Sequence, residues 1–135
     1  MATKRTGTRL KREKKKSKVS RSVESAMFWA KVFATKYDLV LAVCDEELLE
    51  RELKMRHDSK GEGKTLKVKI SKNFYGGMLV NESIVTRLMQ KATIGNLMGS
   101  RAVELAAKSG FIVRENIILI DEVPHAQFVK ISEIR

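Results

Sequence analysis

The stretch YDLVLAVC, residues 37–44, decides the fold class of this chain. It is a short apolar run of strand length that contains β-branched residues, so it predicts a buried β-strand. The segment that follows, DEELLERELK at 45–54, predicts a helix with Asp45 as its N-cap and three leucines facing inward. A strand beside a helix indicates a domain that packs both kinds of element around one core. The inward leucines are Leu48, Leu49 and Leu53.

Further along the chain, strand and helix patterns continue. TLKVKI at 65–70 alternates, which predicts a strand with apolar residues toward a core and lysines toward water. Residues 81–92 predict a helix with Asn81 as its N-cap, and residues 100–110 predict another, with Ser100 as its cap and Gly110 as its stop. The segments SKNFYGGMLV and TIGNLMG, which precede these two helices, predict connections. In the alternating strand, Leu66, Val68 and Ile70 face the core, and Lys67 and Lys69 face water.

The two ends of the chain complete the predicted fold. NIILI at 116–120 and AQFVKI at 126–131 predict strands around the turn DEVPH, and SVESAMFWAKVFATK at 22–36 predicts an amphipathic helix with Ser22 as its N-cap. Its apolar surface is wide, so this helix packs either on its own domain or on a neighbour. The fold class is therefore α/β, with α+β as the alternative: a small single sheet packed with helices over residues 37–135, preceded by that helix and a basic tail, residues 1–21.

Charge is concentrated in the tail. The chain has a net charge of +11, and its first 22 residues hold ten basic side chains against one acid, Glu13. With almost nothing to bury, the tail is predicted to lack structure when free. A solubilising role is possible for such a run, but this density of cations favours a polyanion, which in the cytoplasm means RNA or DNA rather than a membrane surface. The cations are Lys4, Arg5, Arg9, Lys11, Arg12, Lys14, Lys15, Lys16, Lys18 and Arg21.

Residue usage limits the chemistry and the compartment. The one cysteine, Cys44, allows no internal disulfide, and no apolar run reaches the length of a membrane span or a secretory signal, which predicts a soluble cytoplasmic protein. Cys44, His57 and His125 are isolated, without the spacing of a zinc site, and no nucleophile or phosphate-loop motif is present. We therefore expect no metal, no cofactor and no catalysis. His125, after the only proline, Pro124, is expected to bond to backbone at a turn, with a ligand contact as the minority interpretation.

Five segments carry a resemblance to a known family. They are LAVCDEELL, NFYGGMLV, ATIGNLMGSRAVELAAKSGFI, NIILI and VPHAQFVKI, in this order over about residues 37–131. This pattern resembles an archaeal family that is known only as a domain of unknown function, DUF number 424. The resemblance implies a small single-domain α/β fold without a known cofactor, and an association with translation.

Two departures from that family pattern bear on function. The segment LLERELKMRHDSKGEGK is longer and more charged than in the family, and residues 1–36 precede the usual start. Both additions suit a protein embedded in an RNA assembly. We therefore expect a structural RNA-binding component of an archaeal ribosome, most simply of the small subunit, whose partners are rRNA and neighbouring ribosomal proteins rather than a membrane or a small-molecule substrate.

The motif residues are expected to form either a shared contact patch or a set of turn braces. Gly76 or Gly77 is expected to have a positive φ or to lie too close to another backbone for a Cβ. The alternative function is a small enzyme or ligand-binding domain whose site gathers Tyr75, Asn96, Arg101, His125 and Gln127. A translation-factor partner outside the ribosome is a third possibility. Tyr75, Phe74 and Trp29 are candidates for base stacking, although core packing is the expected role of at least two of them. The contact patch comprises Asn73, Tyr75, Gly76, Gly77, Asn96, Arg101, His125 and Gln127.

Overall fold

A computed structural model describes residues 26–57 and 64–131 of the chain. The described residues form a mixed six-stranded sheet, a separate two-stranded ribbon and three α-helices. The basic tail, the first four residues of the predicted N-terminal helix and the last four residues of the predicted domain lie outside the described residues. No helix within the described part is long and apolar enough to cross a membrane.

In chain order, the strands and helices have the following bounds. The strands are β1 Met27–Ala34, β2 Leu39–Asp45, β3 Glu52–His57, β4 Lys64–Lys69, β5 Met78–Asn81, β6 Ile94–Met98, β7 Ile118–Ile120 and β8 Val123–Val129. The helices are α1 Lys72–Tyr75, α2 Glu82–Lys91 and α3 Ser100–Lys108, with short 3-10 turns at Glu46–Leu48 and Arg114–Asn116.

The six-stranded sheet has the order β5-β1-β2-β6-β8-β7. β2 pairs in parallel with β6, and the other neighbours are antiparallel. Helices α2 and α3 cover one side, which we call the helix face. The ribbon β3–β4 and the short helix α1 cover part of the other side, which we call the hairpin face. Strand β2 is buried from Leu41 to Asp45, which confirms the predicted strand at 37–44.

The predicted N-terminal helix is wrong over the residues that the structure describes. Residues Met27–Ala34 form the strand β1, which lies between β5 and β2. Phe28 and Ala30 pack into the core of the helix face, whereas Trp29 and Phe33 pack on the hairpin face. A strand that is buried on both faces reads as a continuous apolar run, so its sequence lacks the period that distinguishes it from a helix.

The predicted helix at 45–54 is also wrong. Only Glu46–Leu48 form a 3-10 turn, and the chain then extends into β3. Glu50 has φ 71, a left-handed conformation that interrupts any helix at this point. The strand predicted at 65–70 exists as β4, but it pairs with β3 in the separate ribbon and not in the main sheet. The single predicted sheet is therefore two sheets, and Leu66 at the outer half of the ribbon is half exposed.

The predictions for the two longer helices and for the last two strands are confirmed. Helices α2 and α3 confirm the predicted helices, and the side chain of Asn81 accepts a hydrogen bond from the amide of Ile84, as an N-cap does. The predicted cap at Ser100 is wrong, because Ser100 is the first residue of α3 and Gly99 holds the N-cap position. Gly110, after α3, has φ 85, as expected of a helix stop. The segments predicted as connections contain the elements α1, β5 and β6 instead. β7 and β8 confirm the last two strands, although Pro124 and His125 lie inside β8 and the turn between the strands is at residues 121–122.

Candidate functional site

Four of the predicted site residues meet on the hairpin face. Asn96 in β6 and Gln127 in β8 are directly opposite each other, and Met98 is opposite His125 in the next row of the same face. The hydroxyl of Tyr75 donates to Oδ1 of Asn96 at 2.6 Å. Gln127 is exposed, whereas Asn96 and His125 are partly buried. We call Tyr75, Asn96, His125 and Gln127 the polar patch.

Tyr75 acts in this patch as a neutral hydrogen-bond donor. Its side chain is buried, and burial raises its pKa, with a smaller contribution from the nearby thiol of Cys44. Burial likewise raises the pKa of Cys44 to about 12, so its thiol is protonated at neutral pH and is a poor nucleophile. The hydroxyl of Tyr75 thus holds the Asn96 amide in one orientation and stays uncharged.

His125 braces the sheet from inside a strand, not from a turn. Its Nδ1–H donates to the carbonyl oxygen of Leu97 at 2.9 Å, which leaves Nε2 as an acceptor. Burial lowers the pKa of His125, an effect that this backbone bond partly opposes. The expected hydrogen bond from His125 to the backbone is confirmed, but the predicted location of His125 in a turn is wrong. Beside Gln127 and Ile118, the ring borders a shallow depression of about 410 Å³.

Arg101 does not join these four residues. It lies in the first turn of α3, where its guanidinium forms two hydrogen bonds with the carboxylate of Glu47, at 2.8 and 3.1 Å, and lies 5.9 Å from the centroid of the Phe28 ring. The Phe28 ring packs into the core of the helix face, so the sheet separates Arg101 from the polar patch. The site predicted from Tyr75, Asn96, Arg101 and His125 is therefore not assembled as one group.

The remaining patch residues are braces. The backbone oxygen of Asn73 accepts a hydrogen bond from the Lys31 ammonium at 2.8 Å. A Cβ on Gly77 would overlap the carbonyl oxygen of Ala30, and one on Gly76 would lie 2.7 Å from the carbonyl oxygen of Lys72. The expected close approach of backbone at these glycines is confirmed, and neither glycine has a positive φ. All three candidates for base stacking, Trp29, Phe74 and Tyr75, pack in the hairpin-face core, which confirms the core packing expected of at least two of them.

Asp45 is a buried structural carboxylate whose partners the sequence did not reveal. Its side chain is 1% exposed, and its two oxygens accept hydrogen bonds from the amides of Arg101 and Ala102, at 3.0 and 2.8 Å. It therefore caps α3, more than fifty residues away, and not the segment that follows it. Gly99 gives the cap its space, because it has φ 111 and a Cβ there would overlap the carboxylate. Burial raises the pKa of Asp45, although both amides favour the charged form.

The ribbon of β3 and β4, which we call the arm, carries a second set of polar residues. Its base packs on the hairpin face through Leu53 and Val68. Lys54 is directly opposite Lys67, and Arg56 is opposite Thr65. Because side chains alternate along a strand, these cations lie on the side of the arm that faces away from the sheet. Among these three cations, Lys67 is the one for which the sequence predicts exposure to water.

A metal site is not formed by the described residues. Within residues 26–57 and 64–131, no three His, Cys, Asp or Glu side chains come close enough to hold an ion. Chemically, the described surface therefore offers hydrogen-bond donors and acceptors in the polar patch and cations on the arm.

Comparison with known proteins identifies the family but not its activity. A solved structure, the crystal structure of an uncharacterized conserved protein from Methanopyrus kandleri, is similar to this chain with a TM-score of 0.60 and 26% identity, over 82% of this chain and 98% of that one. No curated protein matches the chain. The family described as "Protein of unknown function (DUF424)" matches residues 33–131, which is most of the chain. The chain therefore belongs to the DUF424 family.

Proposed function

We propose that this chain is a structural RNA-binding protein, and specifically a component of the small subunit of an archaeal ribosome. The observation that carries the proposal is the distribution of charge. Residues 1–22 hold ten basic side chains and one acidic one, whereas the other 113 residues hold 17 basic and 15 acidic ones. Most of the net charge of +11 thus belongs to a short segment with very few apolar residues. Such a segment is suited to neutralising phosphates and poorly suited to building a site for a small substrate.

The tail and the folded part have different roles in this proposal. The tail contacts rRNA phosphates, which position the protein without reading sequence. The polar patch adds neutral hydrogen-bonding groups, and Nε2 of His125 is an acceptor of the kind that a ribose 2′-hydroxyl satisfies. No catalysis, cofactor or metal has a part in this role. The partners are rRNA and neighbouring ribosomal proteins in the cytoplasm.

A salt series of RNA binding tests the RNA-binding part of the proposal. For a chain that contacts six to ten phosphates, affinity falls by about 10³–10⁵ between 50 and 200 mM salt. We expect a fall of this order for the full chain, and a shallower slope with weaker binding for a chain that starts at Ser22. A full-length variant with glutamine at the ten tail cations is the matched control, because it keeps the length of the tail and removes its charge. Equal affinities and equal slopes for all three proteins would contradict the proposal.

Sedimentation of the native protein tests the ribosomal part separately. In a sucrose gradient at low salt, we expect the protein in the small-subunit fractions, and at high salt we expect it at the top, since phosphate contacts weaken with ionic strength. RNA binding without sedimentation in the small-subunit fractions would instead favour a translation-factor partner outside the ribosome.

A further inference from the structure

We propose that the arm is a second RNA-contacting element, which binds backbone phosphates through Lys54, Arg56 and Lys67. This inference rests on the proposed function, because it assigns a further RNA-binding surface to the same protein. The tail is the surface that the sequence indicates. The arm is a surface that only the pairing of β3 with β4 creates.

The positive charge of the folded part is concentrated on the arm. The described residues hold fifteen basic and eleven acidic side chains. The two strands of the arm hold five of these bases and only one acid, Glu52. The other described residues are therefore balanced, with ten of each sign, and the whole positive excess is on the arm. Residues 58–63, which connect the two strands in sequence, contain one lysine and two acids and leave this excess largely intact.

The cations Lys54 and Lys67 of the arm point away from the sheet. Leu53 and Val68, opposite each other, face the sheet, so the neighbouring pair of Lys54 and Lys67 faces away from it. All the cations of the arm are exposed. The amide of Lys54 donates to Oδ2 of Asp121 at 3.0 Å, which fixes this part of the arm to the turn between β7 and β8. The cationic surface is thus held on a defined side of the domain.

Two lysines of the arm form an unfavourable cross-strand pair. Lys54 is directly opposite Lys67, and like charges in that position destabilise a strand pair. Among the described residues, no carboxylate forms an ion pair with either ammonium. Lys69, by contrast, is opposite Glu52 and 3.2 Å from a carboxylate oxygen of Glu50. A bound phosphate would relieve the repulsion between the ammonium groups of Lys54 and Lys67. Phosphate binding therefore gives a reason for this pair, which exposure to water alone does not.

The shape of the arm agrees with a nucleic-acid partner. A narrow ribbon with cations on one side is suited to contacts with the phosphate backbone of RNA, which do not require entry into a base-paired groove. On its other side, Met55 and Leu66 are opposite each other and remain 39% and 50% exposed. A two-stranded ribbon is marginally stable by itself in water, so the outer part of the arm gains from a partner that covers it.

The test uses the full chain and a fluorescein-labelled RNA stem-loop, with affinity measured across a salt series. Substitution of Lys54→Gln together with Lys67→Gln removes two phosphate contacts. We expect the slope of log affinity against log salt to fall by about 1.4 to 1.8, and the affinity at about 0.1 M salt to fall roughly 25- to 60-fold. The matched control is Lys36→Gln with Lys91→Gln, two exposed lysines off the arm, which should change affinity less than about threefold.

A third variant separates binding from folding. Lys67→Glu places an acid opposite Lys54, so it should raise the melting temperature of the free protein by about 1–6 °C while it weakens RNA binding. A variant that is more stable and yet binds RNA less well cannot owe its defect to misfolding.

The outcomes distinguish this inference from the proposed function. If the full chain does not bind the stem-loop at all, the proposed function fails and the role of the arm fails with it. If the full chain binds, but the Lys54→Gln, Lys67→Gln protein has the affinity and slope of the control, only the inference about the arm is overturned. In that case, an acidic protein surface becomes the partner to seek for the arm.

Discussion

Substitution of Asp45 by alanine should destabilise the fold strongly, because it removes the acceptor of two amides at the start of α3. These are the amides of Arg101 and Ala102, and Asp45 itself is 1% exposed, so water does not readily replace it. A buried amide that loses its partner costs about 1–3 kcal/mol. The loss of a negative charge at a helix N-terminus costs about 0.3–2 kcal/mol more.

Removal of the buried carboxylate also has a favourable effect, which offsets part of this loss of stability. The charged carboxylate is itself destabilised by burial, which is the main reason that the pKa of Asp45 is raised. We therefore expect the free energy of unfolding to fall by about 2–4 kcal/mol, which for a domain of this size corresponds to a melting temperature lower by roughly 10–20 °C. Asp45→Asn keeps one acceptor oxygen, so its loss should be about half as large.

The assay is urea and thermal unfolding followed by circular dichroism at pH 8. This pH is chosen from the sign of the pKa shift. Because the folded pKa of Asp45 is raised above 3.8, the folded protein keeps this proton at pH values where the unfolded chain has released it. The contribution of Asp45 to stability therefore falls as pH rises between the two pKa values, and it is constant above the folded one.

Glu115→Ala is the matched control, since it removes an exposed carboxylate away from α3 and should change stability by less than about 0.5 kcal/mol. If Asp45→Ala were no more destabilising than this control, the start of α3 would not depend on the carboxylate, and the reasoning would be wrong.

Two further predictions concern stability. Gly77→Ala should lower the free energy of unfolding by about 1–3 kcal/mol, because the new Cβ overlaps the carbonyl oxygen of Ala30. Gly110→Ala should lower it by only about 1 kcal/mol, since Gly110 has φ 85 but no atom lies within 4 Å of the new Cβ. A urea unfolding experiment that ranks the two variants in the reverse order would contradict the steric explanation. His125→Ala should cost about 1 kcal/mol at pH 8 through the lost bond to Leu97. Because the pKa of His125 is lowered in the folded protein, the unfolded chain takes up the proton first as pH falls below about 6.5. The stability of the wild-type protein should therefore decline at these pH values, and His125→Ala should lack this part of the decline. Identical pH profiles of stability for the two proteins would show that His125 is not the cause.

Elements with a local pattern could be predicted from the amino-acid sequence. The helices α2 and α3 have a 3.6-residue apolar period, and the cap at Asn81 lies within three residues of the amide that it binds. Strand β2 is recognisable because a short apolar run with β-branched residues has few alternatives. The basic tail and the family motifs are likewise properties of the sequence alone, and so is the expectation that a Phe-Tyr-Gly-Gly turn needs its glycines.

Elements whose partners are distant in the chain could be identified only in the folded protein. β1 is a strand because β2 and β5 pair with both of its edges, and a run that is apolar on both faces does not reveal this by its period. Asp45 has the sequence of a local N-cap, yet its oxygens bind amides more than fifty residues away, because β2 ends beside the start of α3. The Lys54–Lys67 pair arises in the same way, since the register of β3 with β4 places them together. Long-range hydrogen bonds and strand register decide these features, and local propensity does not contain that information.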